Sequence, residues 1–243
     1  MPATLPPPSS LAPARGFAGR VVGVLTSPRA TYADVAARPA WLGAIVVVLF
    51  VTIAPLFLLL STEMGQRAVI DQQMQVFESF GRTVTDAQYR QLERMAPYAR
   101  YFAAGSQIVG FPLTALAVAG VAFAIFNGAL GAQAAFRQVF SIVAFSGVVL
   151  GLRALFATPL NYARESLSNP TNLAAVMPVF EDNTFGARLL GSIDLFLIWW
   201  VVSLAIGLGV LYRRRTAPIA MTMLLVYGAI ALVIAAVQSM AGA

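Results

Sequence analysis

The sequence predicts an all-α, polytopic integral membrane protein, and three observations carry that prediction. Five apolar runs, at about residues 41–61, 101–130, 138–159, 189–212 and 217–241, are broken by a charge only at Arg153 and Asp194. Each run reaches the roughly 20 residues that cross a bilayer core. Hydrophobic residues make up 59% of the chain and charged residues 11%, against about 25% charged in an ordinary soluble domain. Finally, arginines crowd alternate gaps between the runs, which is how a chain threaded back and forth through a membrane distributes its positive charge.

Residues 1–14, Pro/Ser-rich, read as a disordered tail with no apolar core of signal-peptide type, so the first run doubles as an uncleaved targeting signal. Residues 15–40 read as two cytoplasmic interfacial helices. Phe17, Val21, Val24 and Leu25 repeat at helical spacing. Ser27 followed by Pro28 then predicts a side-chain cap and the start of a second helix, running to about Ala37. Residues 41–241 form the five-span membrane domain.

The outer segment 62–100 lies between the first two runs. Val69, Ile70, Met74, Phe77 and Phe80 predict one amphipathic helix ended at Gly81. Thr85 with Gln88 predicts a capping box for a second helix, bearing Tyr89, Leu92 and Ala96 and halted by Pro97. After the third run, Asn169 and Pro170 predict a short helical turn through Met177, stopped by Pro178. Glu165, Glu181 and Asp182 tint that loop negative without the repeated ligand spacing of a calcium loop, and read as solvated.

Charge placement sets the direction. Arg15, Arg20, Arg29 and Arg38 precede the first run against Asp34 alone, Arg137 lies in the third gap, and Arg213, Arg214 and Arg215 stand together before the last run. The second gap balances five arginines with five acids. Short arginine-rich loops stay cytoplasmic, which places the N-terminus inside and the C-terminus outside. The net charge of +6 is therefore a topology signal and a contact with anionic lipid head groups through Arg15, Arg20, Arg29, Arg38, Arg213, Arg214 and Arg215, not a nucleic-acid footprint. All 16 basic residues are arginine. With the alanine richness, this points to a GC-rich bacterial genome and so to a bacterial inner membrane.

The two interrupting charges invite pairing. Arg153 lies six residues inside the outer end of the third run, taken at Pro159, and Asp194 six residues inside the outer end of the fourth, taken at Arg188. At about 1.5 Å rise per residue both sit about 9 Å deep. Gln107 and Gln238 fall in the same layer, and Asn127 near the inner edge. One reading is an ion pair locking two antiparallel helices, and the other an outer polar cavity that takes up a proton, an ion or a head group. The middle of every run is apolar, which favours the lock. Gly147 with Gly151, and Ser203 with Gly207, supply small-xxx-small spacings for close helix packing, within the bundle or in a homo-oligomer.

There is no Cys and no His, which closes thiol, histidine-base and the common zinc and haem chemistries. A lone Asp194 does not make an aspartic dyad, and no phosphate-binding glycine loop is present. No enzyme activity, cofactor or metal site is expected.

The stretches LTSPRATYADVAARPAW at 25–41, FRQVFSIVAFSGV at 136–148 and SIDLFLIWWVVSLAIGLGVLYRR at 192–214 resemble bacterial members of the YIP family, five-span relatives of the eukaryotic proteins that interact with Ypt/Rab GTPases. The resemblance covers roughly residues 17–240 and implies a five-helix bundle with a cytoplasmic N-terminus. In the eukaryotic relatives the associated role is vesicle trafficking and membrane shaping. That role does not transfer directly, because the short N-terminal segment has no recognisable GTPase-docking region and a bacterium has no Rab cycle. The family supplies no catalytic residues. The function expected is a non-enzymatic organiser of membrane or of a protein partner; the alternative is a transporter, or an accessory subunit of one, using the Arg153–Asp194 layer.

Overall fold

The computed structural model describes residues 15–79, 82–177, 179–180 and 184–241, and among them regular structure is helical, with no strand. The tail 1–14 and Phe80, Gly81, Pro178, Glu181 and Asp182 lie outside the described residues.

The N-terminal helices α1 (Phe17–Thr26) and α2 (Pro28–Ala37) form a hairpin. Proline opens α2, but Ser27 makes no side-chain cap; its hydroxyl accepts from Arg15 instead, at 2.7 Å. The first apolar run is α3 (Trp41–Leu59). Outside it come α4 (Glu63–Ser79) and α5 (Asp86–Met95), the latter opened by the Thr85–Gln88 capping box in both directions. The α-helical geometry of α5 stops at Met95, just before Pro97, and a 3₁₀ turn, Ala96–Tyr98, carries the chain straight on into α6 (Ala99–Phe123). The end of the second run widens into a π-helix, Ala124–Ala129, after which Gly131 takes a left-handed conformation (φ 65°) that only glycine adopts without strain.

The third run is two helices, α7 (Phe136–Ser146) and α8 (Val148–Ala163), with a break at Gly147. The loop beyond carries only a four-residue helix α9 (Leu173–Val176), capped by Asn172 and not started by Asn169 and Pro170. The fourth run is broken as well. Its first residues belong to α10 (Phe185–Gly191), and Asp194 then caps a fresh helix, α11 (Leu195–Leu211). Asp194 therefore stands at a helix start, not within a continuous span. The last run is α12 (Thr216–Ala241).

Among the described residues four helical stretches are long and apolar enough to cross a membrane: Trp41–Leu59, Asp86–Ala129, Phe136–Ala163 and Thr216–Met240. α11 has 17 residues, about 25 Å at 1.5 Å per residue, a little under a hydrocarbon core of roughly 30 Å.

The core is centred on α7, which packs against α2, α3, α6 and α11. Val139, Ile142, Ala144 and Phe145 are fully buried there, beside Val48 of α3, Ala119 of α6 and Leu204 of α11. Outside this core the long helices are clothed in exposed apolar residues such as Phe50, Leu58, Ile108, Leu113, Leu225 and Val233. In water so continuous an apolar coat would drive aggregation; it is the surface of a protein solvated by lipid.

Candidate functional site: a polar node at the head of α11

Asp194 gathers the polar groups at one end of the bundle. Its Oδ2 accepts from Arg153 Nε on α8 at 2.8 Å, from Asn169 Nδ2 at 2.8 Å and from Thr171 Oγ1 at 2.6 Å. Its Oδ1 accepts from the amides of Phe196 (2.8 Å) and Leu197 (3.2 Å), two of the four donors that a helix start leaves without intrahelical partners. The Asp194 amide donates to the Tyr227 hydroxyl of α12 at 2.9 Å, and that hydroxyl donates to the Ser192 carbonyl at 3.1 Å. Backbone bonds complete the clasp: Leu195 N donates to Thr171 O at 3.1 Å and Leu173 N to Ile193 O at 2.8 Å. The Asp194 carboxylate thus joins α8, the 166–172 loop and α11, and its backbone amide adds α12.

The node is asymmetric. The Asp194 side chain is 3% exposed and the Arg153 side chain 35%, so the acid is enclosed while the guanidinium reaches outward. Five donors occupy the two carboxylate oxygens, which matches a full complement for an ionised carboxyl. Such a group holds helices in place; as a proton or ion acceptor it would first have to release partners.

The side chains of Gln107 and Gln238 make no hydrogen bond to the node. Gln107 lies on α6, bonded to nothing at the node, and the Gln238 side chain is exposed; only its backbone carbonyl is engaged, by Arg188 of α10. The groups that do complete the node, Asn169, Thr171 and Tyr227, were not singled out from the sequence. In the sequence Asn169 has the look of a helix start, and no periodicity marks a loop that folds back.

The small residues are used inside the chain. A side chain at Gly147 would strike Phe111 (2.7 Å), and one at Gly151 would press on Val51 (3.3 Å). At Gly207 it would strike Ile142 (2.4 Å) and meet the Tyr32 ring (3.1 Å). Ser203 shares a 2.7 Å hydrogen bond with the Tyr32 hydroxyl. These positions form the seats of α6, α3 and the N-terminal hairpin, not a surface for a second copy.

The opposite end of the bundle carries the arginines that precede the first and last apolar runs. Arg29, Arg38, Arg213, Arg214 and Arg215 are exposed, and Arg15 is half-buried on Ser27 and Thr31. Arg20 is different: it is buried, bound to Asp34 at 2.7 Å and to the Arg38 carbonyl at 3.0 Å, and so is withdrawn from the set expected to meet lipid head groups. Asn127 of the π-helix donates to Ala134 O and accepts from Tyr212 Oη, both at 2.8 Å, tying off this end. Among the described residues no cluster of acids, histidines or cysteines could hold a metal ion.

A helical bundle with an apolar coat and its charged groups gathered towards the two ends is a multi-pass membrane protein. The chain matches the Yip1 domain over residues 22–237 and belongs to the Yip1 (YIP) family. No curated protein and no solved structure matches it.

Proposed function

We propose that this YIP-family protein is a non-enzymatic membrane organiser of a bacterial inner membrane, with five spans, a cytoplasmic N-terminus and an external C-terminus. In this reading α11 is the fourth and shortest span, and Arg29, Arg38, Arg213, Arg214 and Arg215 rest on anionic head groups of the cytoplasmic leaflet. The exposed amphipathic surfaces, α1 on the inner side and α4–α5 on the outer, take up a protein partner.

The observation that carries the reading is the saturation of Asp194. A transport site needs a charged group with coordination to spare near the midplane. Here the enclosed carboxylate already has five donors at one end of the bundle. That supports a fixed scaffold over a transporter or transporter subunit. The test is mild cross-linking and capture of the full chain from native membrane, in parallel with proton and ion flux in reconstituted liposomes. A reproducible partner set with flux at the level of empty liposomes is expected. Flux above empty liposomes, abolished by Asp194→Asn in protein that still folds, would overturn the proposal.

A further inference from the structure

Helix register sets the depth of the Asp194 node. Asn161, near the end of α8, shares the wall of one cleft with Leu60 and Ala99, at the end of α3 and the start of α6. α8 and α3 therefore finish at the same level. Further down the same pair, a side chain at Gly151 would lie 3.3 Å from Val51. Arg153 thus stands about level with Ile53, eight residues back from Asn161 on α8 and seven back from Leu60 on α3. At about 1.5 Å per residue the node lies roughly 10–12 Å below the last apolar turn of α3. On α12 the helix runs on beyond Tyr227, which holds the Asp194 amide, with Val233, Val237 and Met240 exposed.

The chain beyond α8 does not stay at the level where that helix ends. Leu167 stands in the cleft wall with Leu60, yet Thr171, four residues on, donates to Asp194 at 2.6 Å. Four extended residues reach about 13 Å, enough for that descent. The chain turns back through α9, and α10 returns it to the node, with Arg188 donating to the Gln238 carbonyl of α12. At the bottom, the bonds from Leu195 N to Thr171 O and from Leu173 N to Ile193 O satisfy the folded-back backbone within the protein. Irregular backbone stands at membrane depth only on that condition. The side of this lobe turned away from the bundle is apolar. From Ser166 to Phe180 the sequence carries no charge, and Val176, Met177, Val179, Phe180 and Phe185 are all exposed. Such a patch is unusual on a loop that faces water. It adjoins the lipid-facing coat, because α10 packs along α12.

We infer that α9 and α10 form a re-entrant lobe sunk into the leaflet on the Asp194 side, with Val176, Met177, Val179, Phe180 and Phe185 against lipid acyl chains. The lobe is an anchor with two faces. Its polar face is tied to Asp194 within the bundle, and its apolar face extends the coat of α12 into the bilayer. This rests on the multi-pass architecture and not on the organiser role.

The experiment places a nitroxide on single cysteines of the full chain in phosphatidylglycerol–phosphatidylcholine liposomes and compares collisions with oxygen and with a water-soluble nickel chelate. Val176→Cys and Val179→Cys test the lobe, Leu225→Cys on α12 is the lipid reference, and Gln75→Cys on α4 the water reference. The oxygen-to-nickel ratio at both lobe sites should match Leu225→Cys within about twofold and exceed Gln75→Cys about tenfold, since water is absent from the bilayer core. A ratio like that of Gln75→Cys would overturn the inference by placing the lobe in water. Low collision with both reagents would overturn it too, by assigning the patch to a protein contact such as a second copy. The unsubstituted chain gives a check free of any folding defect: a phospholipid with a diazirine in its acyl chain should, on illumination, label the 173–187 peptide, and labelling confined to the long apolar helices would contradict the lobe's depth. Partner capture and flux bear on none of these outcomes.

Discussion

Tyr32 of the N-terminal hairpin reaches Ser203 in the middle of α11, 171 residues away, through a 2.7 Å hydrogen bond closed off from solvent. Its ring is fully buried and lies over Gly207, where the missing side chain makes the room. Complete burial pushes the Tyr32 phenol well above its usual pKa, more than the Ser203 bond pulls it down, so the group stays protonated. The hairpin is thus part of the core and not a lid lying on it.

Removing the hydroxyls separates bond from packing. Tyr32→Phe or Ser203→Ala should each cost about 1 kcal/mol, the net value of a typical hydrogen bond. Tyr32→Ala should cost about 3–5 kcal/mol by leaving a cavity. Thermal unfolding in detergent, followed by circular dichroism, reads all three; equal losses for Tyr32→Phe and Tyr32→Ala would refute the packing role.

At the Asp194 node, the two partners should not be equivalent. Asp194→Ala removes a cap worth about 0.5–2 kcal/mol and also strands the Thr171, Asn169 and Arg153 donors. Arg153→Ala leaves the carboxylate four of its five donors, and should be the milder change. The double variant should melt close to Asp194→Ala alone, as expected for residues in one network. A charge swap, Arg153→Asp with Asp194→Arg, should not rescue stability, because an arginine at 194 cannot accept from the Phe196 and Leu197 amides. Recovery in the swap would show a simple ion pair.

The glycine seats give a graded series. Gly207→Val should destabilise by about 1–3 kcal/mol or more, the usual cost of overpacking, since the first added atom already lies 2.4 Å from Ile142. Gly151→Ala, with its nearest neighbour at 3.3 Å, should be mild. Light scattering should find the oligomeric state unchanged in both. Dissociation of a dimer by Gly151→Ala would return these residues to an intermolecular role.

The absence of cysteine makes topology directly measurable. Ala30→Cys on α2 should resist a membrane-impermeant maleimide in intact cells and react after lysis. Gln75→Cys on α4 should react in both. The reverse pattern would invert the proposed orientation.

The parts legible in the sequence were those written as periodicity and local chemistry. Long apolar runs gave α3, α6 and α12, and the Thr85–Gln88 box announced α5, because each depends on neighbours a few residues apart. The breaks at Gly147 and before Asp194 were not legible. Hydropathy averages over about 20 residues, and it cannot distinguish a charge inside a helix from a charge that starts one. Matching depths brought Arg153 to Asp194, yet the same counting chose Gln107 and Gln238 in place of Asn169, Thr171 and Tyr227. A loop that turns back into a bundle carries no period to read. Arg20 was likewise assigned to the surface by its type, whereas Asp34 lies two helix turns along the facing arm of the hairpin and draws it inward.

The order of Asp194's partners along the chain carries a further consequence. Its three side-chain donors, Arg153, Asn169 and Thr171, all precede it, and the two amides it caps follow at once. During synthesis from the N-terminus, the side-chain part of the receptacle for the carboxylate is therefore made before α11 exists. Tyr227, the last contributor, arrives only with α12. Assembly in the membrane is thereby given a direction: α11 is seated by a residue that finds its binding partners already waiting, and α12 latches it.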